Sequence, residues 1–304
     1  MNKAIIIAIS FLWTIAAQGQ ILNVASVERI TGSNDDKSVM QAVAISLQGD
    51  YLLLSTDTKQ GLVKWDLATS SKTTLTSDAG AGSSVYISED GSQIVYGEVS
   101  YKNKRRYEAV KSINLSNNKK QTLVKPTRKL QGYAVDGGTV LTRIDGNVKQ
   151  QSFKKGVSRD AARPLLSHHH LKLYLTRDGV TTLFAPNGAD ERYIWASLSP
   201  SGSRVLYYVS GQGAFVSDID GSHVTSMGNL TAPQWWDDNT IVGMSEVDDE
   251  YHVTASTIVA RTLDGQQQVL TSEDVIATYP LPCHEAGKIV FSTPTGDIYL
   301  ITVK

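Results

Sequence analysis

A unit of about 40 residues recurs along this chain, and that recurrence limits the fold more than composition does. The clearest copy runs from Ile194 to Met227. It reads Ile194-Trp195-Ala196-Ser197-Leu198, a Ser199-Pro200-Ser201-Gly202 turn, then Arg204 to Val209. A Gly-rich turn at Ser210 to Gly213, the run Ala214 to Ile219, the pair Asp220-Gly221 and the run Ser222 to Met227 complete it. These are four strand-like runs joined by three tight turns. Pro at the second turn position pre-sets φ, and Asp-Gly supplies the positive φ of a two-residue hairpin. Such a sheet is apolar on both faces and needs a copy of itself on each side.

The copies centre on Gly49, Gly91, Gly137, His170, Gly202, Asn239 and Gly287, with steps of 42, 46, 33, 32, 37 and 48 residues. Their mean is close to that of a four-stranded propeller blade. The spacing predicts an all-β, closed β-propeller of seven blades. The third and fourth units are short; counted as one irregular blade, they give six. The last copy stops at Lys304 without room for a fourth strand, and an extra strand, Ile21 to Ile30, precedes the first copy. The N-terminal strand is therefore expected to complete the last blade, with Thr31 to Lys37 as the link onward. Closure of this kind shields strand edges. No amphipathic helix of three or more turns is legible, so residues 20–304 read as a single propeller domain.

The Ser199-Pro200-Ser201-Gly202 and Ser88-Glu89-Asp90-Gly91 turns and the Trp65-Asp66-Leu67 strand resemble the WD-like repeats of the TolB propeller family. That resemblance implies a periplasmic β-propeller that binds other proteins, without naming a partner. The amino-terminal domain of TolB proteins has no counterpart in the chain. The repeats also resemble the propeller of prolyl oligopeptidases. The Gly-x-Ser-x-Gly elbow of such hydrolases is missing: Gly243-Met244-Ser245-Glu246-Val247 lacks the second Gly and falls in a predicted strand.

Residues 1–19 have the form of a secretory signal: basic Lys3, an apolar run from Ala4 to Ala17, then Ala17-Gln18-Gly19 before a cut near Gly19. The run is shorter than the ~20 residues of a spanning helix, so a periplasmic or secreted protein that does not span the membrane is expected. The one cysteine, Cys283, cannot form an internal disulfide. Net charge of −1 gives no global field for nucleic acid, and none is expected as a partner.

In a propeller, the turns between strands one and two and between three and four share one face. The two-to-three hairpins and the links between blades share the other. On the latter face, Lys102, Lys104, Arg105 and Arg106 sit on the blade-two hairpin, with Lys125, Arg128 and Lys129 on the link beyond. Glu246, Asp248, Asp249 and Glu250 sit on the blade-six hairpin, with Glu273 and Asp274 after it. A face basic at one edge and acidic across the ring would orient a protein or cell-envelope partner. This gives the leading expectation, an exported non-catalytic binding scaffold without a cofactor. The alternative is a metal-dependent polysaccharide lyase or hydrolase. His168, His170, His223 and His284 all fall in one-to-two or three-to-four turns, and imidazole is a common ligand of divalent metals. Oligogalacturonate lyases, propellers with a His-rich metal site, provide the analogy. Exposed aromatics at the channel would instead indicate a lectin-like module.

Overall fold

The computed structural model describes residues 20–31, 39–136, 138–153, 163–248 and 253–304. The signal-like segment, most of the Thr31–Lys37 link, Gly137, Asp249 and Glu250 lie outside them. The described residues form seven antiparallel sheets, five of four strands and two of three. Blade one comprises Met40–Ile45, Tyr51–Thr56, Leu62–Asp66 and Lys72–Thr76; blade two comprises Val85–Ile87, Gln93–Lys102, Arg105–Asn114 and Lys119–Thr127. Blade three (Leu130–Asp136, Thr139–Ile144, Asn147–Ser152) and blade four (Leu165–His169, Lys172–Arg177, Val180–Phe184) are the three-stranded ones. Blade five comprises Tyr193–Leu198, Arg204–Val209, Gly213–Asp218 and Thr225–Gly228; blade six comprises Thr231–Trp235, Thr240–Asp248, Val253–Thr262 and Gln267–Val269. Blade seven takes Thr278–Cys283, Lys288–Ser292 and Ile298–Val303, and its fourth strand is Val24–Thr31 from the N-terminal end. The ring is a seven-bladed propeller closed as the repeat count requires.

The core lies between blades because each central strand is apolar on both sides. In the run Leu52-Leu53-Leu54, side chains alternate across the sheet. Leu52 and Leu54 pack with Val290 and Ile298 of blade seven. Leu53 packs with Ile94, Tyr96 and Ile113 of blade two. Trp235 and Trp236 divide in the same way. Trp235 joins Leu206 and Val216 of blade five, and Trp236 joins Phe291 and Ile301 of blade seven. Neither tryptophan is left for a ligand.

One turn recurs on three blades. The N–H groups of Gly49, Gly91 and Gly202 each donate to the carbonyl of the serine three residues earlier, at 2.8 Å in every case. Each glycine holds a φ between +64° and +72°, where a Cβ is disfavoured. Gly213 carries a harsher constraint. Its φ is +105°, and an added Cβ would stand 2.5 Å from the Gly228 carbonyl oxygen. Gly213→Ala is expected to destabilise the protein by about 1–3 kcal/mol, read by thermal denaturation; an unchanged melting temperature would contradict it.

Blade four departs from the expected arrangement. Its inner strand starts beside the end of its blade-three counterpart: Arg163 pairs with Asp136 at 3.0 Å. It ends beside that strand's start, where a Cβ on Gly132 would lie 2.7 Å from the His168 carbonyl oxygen. Against blade five the relation is the same. Pro164 lies near Gly202, past the end of Tyr193–Leu198, and Tyr193 N–H donates to Leu171 O at 2.7 Å at its beginning. Leu165–His169 therefore runs antiparallel to both neighbouring inner strands. Its hairpin at His170-Leu171 emerges on the face of the two-to-three hairpins.

Candidate partner-binding face

Two long hairpins rise from the face that carries the two-to-three loops. In blade two the pairing runs unbroken from Gln93↔Asn114 to Lys102↔Arg105. Asn103 and Lys104 close it with φ of 51° and 60°, the left-handed pair that a tight primed turn requires. Arg204–Val209, the corresponding second strand of blade five, has 6 residues against 10 in Gln93–Lys102. At ~3.4 Å per residue the four extra residues carry the tip about 14 Å further. Lys102, Lys104, Arg105 and Arg106 are all exposed there. Arg106 meets Glu108 at 2.7 Å, and Tyr101 on the same tip is 71% exposed. Beyond it, Lys129 pairs with Asp145 at 2.6 Å. A surface pair like this is worth little in stability and leaves the sector basic.

Blade six raises the second wall, Thr240–Asp248 against Val253–Thr262. Val247 is exposed near its tip. Glu246 sits lower, half-buried, and accepts a hydrogen bond from Thr231 Oγ1. Asp248 ends the described strand, and Asp249 and Glu250 follow it outside the described residues. Glu273 and Asp274 are exposed on the next link.

Sequence reasoning missed the aromatic rim between these walls. Trp195, Ala232 and Tyr279 hold φ of 50°, 44° and 51° near the start of three inner strands. Each coincides with a break in register: between Ile194 and Ser197, Thr231 and Gln234, and Thr278 and Leu281. Bulges of this kind redirect a side chain at a strained backbone cost. Tyr279 is 46% exposed. The Lys59 ammonium stands 6.0 Å from the centre of its ring and donates to Gln41 Oε1 at 3.0 Å. Burial, slightly offset by Asp57, holds the Lys59 amine below its usual range. Trp195 packs edge-on against Tyr208 with ring centres 5.2 Å apart. Pro233 and Pro280, each directly after a bulged residue, were the available signal, because proline inside a strand marks an edge or a bulge.

The structure does not bring the four candidate histidines together. His168 and His170 belong to the reversed blade-four hairpin on the hairpin face, where the His169 and His170 rings meet edge-on at 4.0 Å. His223 and His284 lie on the opposite face. His223 Nδ1 is 2.7 Å from Asp218 Oδ2, and His284 stacks edge-on against Trp236. Among the described residues no three His, Cys, Asp or Glu side chains gather as a metal-binding group. The lone thiol, Cys283, is buried and donates to Leu47 O at 3.0 Å; burial raises its pKa.

No protein-family model matches the chain, and no curated protein matches it in sequence. Solved structures match it in fold. The RRP9 WD40 repeats superpose with a TM-score of 0.64 at 8% identity, covering 93% of this chain and 99% of that one. TolB from Acinetobacter baumannii gives 0.52 at 14% identity, covering 79% of this chain and 56% of TolB. An oligogalacturonate lyase in complex with manganese gives 0.48 at 16% identity, covering 86% and 76%. At such identities the likeness to RRP9 and to TolB shows the fold alone. The chain is a β-propeller similar in architecture to TolB and WD40-repeat propellers. Among the described residues no helix is long and apolar enough to cross a membrane.

Proposed function

We propose that this protein is an exported, non-catalytic propeller whose hairpin face binds a protein partner in the bacterial envelope. The observation that carries the reading is the exposed basic hairpin Lys102–Arg106, rising across the ring from the blade-six hairpin with Glu246 and from the exposed Glu273 and Asp274 on the link beyond it, with an aromatic rim between them. Opposed sectors of this kind steer encounter and fix orientation more than they add affinity. The two long hairpins would grip a partner from two sides while Tyr279 and Tyr101 provide apolar contact.

The test is a photo-crosslinking amino acid at Lys104, compared with one at Asp220 on the opposite face, in cells exporting the full chain. A discrete adduct from position 104, lost on Arg105→Glu with Arg106→Glu and absent from position 220, is the expected result. Equal adducts from both positions, or none from 104, would sink the reading.

A further inference from the structure

Outer strands are where propellers expose unpaired backbone, and six of the seven blades blunt that edge. Blade one carries Lys72 and a register break on its outer strand, and blade two carries Lys119, Lys120, Lys125 and Pro126. Blade three offers a wholly exposed strand, polar except for Val148, with Lys149 near its middle. The outer strands of blades five and six are only 4 and 3 residues long. Blade seven has Glu28, Arg29 and two register breaks. Charge, proline, brevity and bulging are the usual devices against edge pairing.

Blade four uses none of them. Val180-Thr181-Thr182-Leu183-Phe184 has no charge and no proline, and it pairs without a register break to Lys172–Arg177. Val180 is 62% exposed and Leu183 45%. No described strand covers its outer side. The chain that follows leaves for blade five, where Asn187 N–H donates to Tyr193 Oη at 3.0 Å and Tyr207 Oη donates to Asn187 Oδ1 at 2.8 Å.

The hydrogen-bonding direction of this edge follows from its hairpin. Arg177 and Val180 flank the two-residue turn Asp178-Gly179, whose φ values are 51° and 76°, so they form a hydrogen-bonded pair. Alternation then points the N–H and C=O of Thr182 and Phe184 inward, and those of Thr181 and Leu183 to the open edge.

We propose that this edge pairs with the same strand of a second copy across a two-fold axis through Thr182. That register sets Thr181 opposite the second copy's Leu183, and Leu183 opposite its Thr181. All four are outward-bonding residues, as an antiparallel ladder demands. Val180 falls opposite Phe184, and no like charges meet. An isologous contact of this kind closes on itself. A five-residue ladder is small, so the dimer is weak and concentration-dependent.

Sedimentation velocity over a dilution series of the wild-type protein should show a monomer–dimer equilibrium. Leu183→Pro should abolish the dimer while leaving the melting curve unchanged, because that N–H serves no bond within the blade. Thr182→Cys provides an independent arm. Across a non-hydrogen-bonded pair the two Cα atoms stand about 4.5 Å apart, within disulfide range, and the native thiol is buried. Thr182→Cys should yield a disulfide-linked dimer on mild oxidation, and Lys149→Cys on the neighbouring blade should not. A wild-type monomer at every concentration overturns the proposal. So does a dimer indifferent to Leu183→Pro, or equal linkage of the two cysteine variants.

Discussion

Removing residues 20–31 is expected to abolish cooperative thermal unfolding and send the protein into aggregates. This segment closes the ring through one strand ladder, from Val24↔Val303 to Thr31↔Ile298. Leu22, 6% exposed, sits in the core with Trp236, Phe291 and Ile301. Gln268 clasps the same turn: its Oε1 accepts from the N–H groups of both Ile21 and Leu22 at 2.8 Å, and its Nε2 donates to Leu22 O at 3.0 Å. Without the segment, Ile298-Tyr299-Leu300-Ile301-Thr302-Val303 becomes an apolar edge, a template for pairing between chains. A graded version is Leu22→Ala. It should cost about 2–5 kcal/mol through lost burial and a residual cavity, seen as a lower midpoint in urea with an unchanged slope. Truncated protein that melted cooperatively near the wild-type temperature would show that closure does not depend on this strand.

The closure strand was legible because the repeat count left one strand short at one end and one over at the other. The Ser-Pro-Ser-Gly and Ser-Glu-Asp-Gly turns were legible because their chemistry is local: a glycine at positive φ and a serine carbonyl three residues back. Blade four was illegible for the converse reason. His168-His169-His170 was aligned with the glycine turns by spacing alone, and spacing carries no strand direction. Contacts far apart in sequence, Arg163 with Asp136 and Leu171 with Tyr193, set that direction. The same gap explains the histidines, whose expected shared face depended on it. The basic and acidic hairpins were visible as charge runs. The aromatic rim was hidden because a bulge breaks the alternation from which facing is inferred.

Lys111→Met is expected to cost about 2–4 kcal/mol at neutral pH, somewhat below the range for breaking a fully buried pair because the groups keep slight exposure. Lys111 Nζ bridges Asp78 and Glu98, each at 2.9 Å, with all three side chains about one-fifth exposed. Tyr96 Oη also donates to Asp78 at 2.8 Å. Burial alone would raise the Asp78 carboxyl, but hydrogen bonds from Lys111 and Tyr96 and the Lys111 charge outweigh it, and the pKa falls. Burial would lower the Lys111 amine, but hydrogen bonds to Asp78 and Glu98 and their charges leave it raised. A lowered carboxylate contributes stability above its unfolded value of about 3.9, and a raised lysine contributes below about 10.4. The wild-type contribution is therefore flat between those limits. It falls as pH drops through the folded Asp78 pKa, and again as pH rises through the folded Lys111 pKa. In the variant two carboxylates face each other without the cation, so protonation becomes favourable in the folded state. Its stability should rise between pH 7 and pH 5, where the wild-type contribution is level. Urea denaturation at the two pH values separates this from simple loss of packing, which would lower both curves in parallel. Parallel curves would show that the triad acts through volume alone.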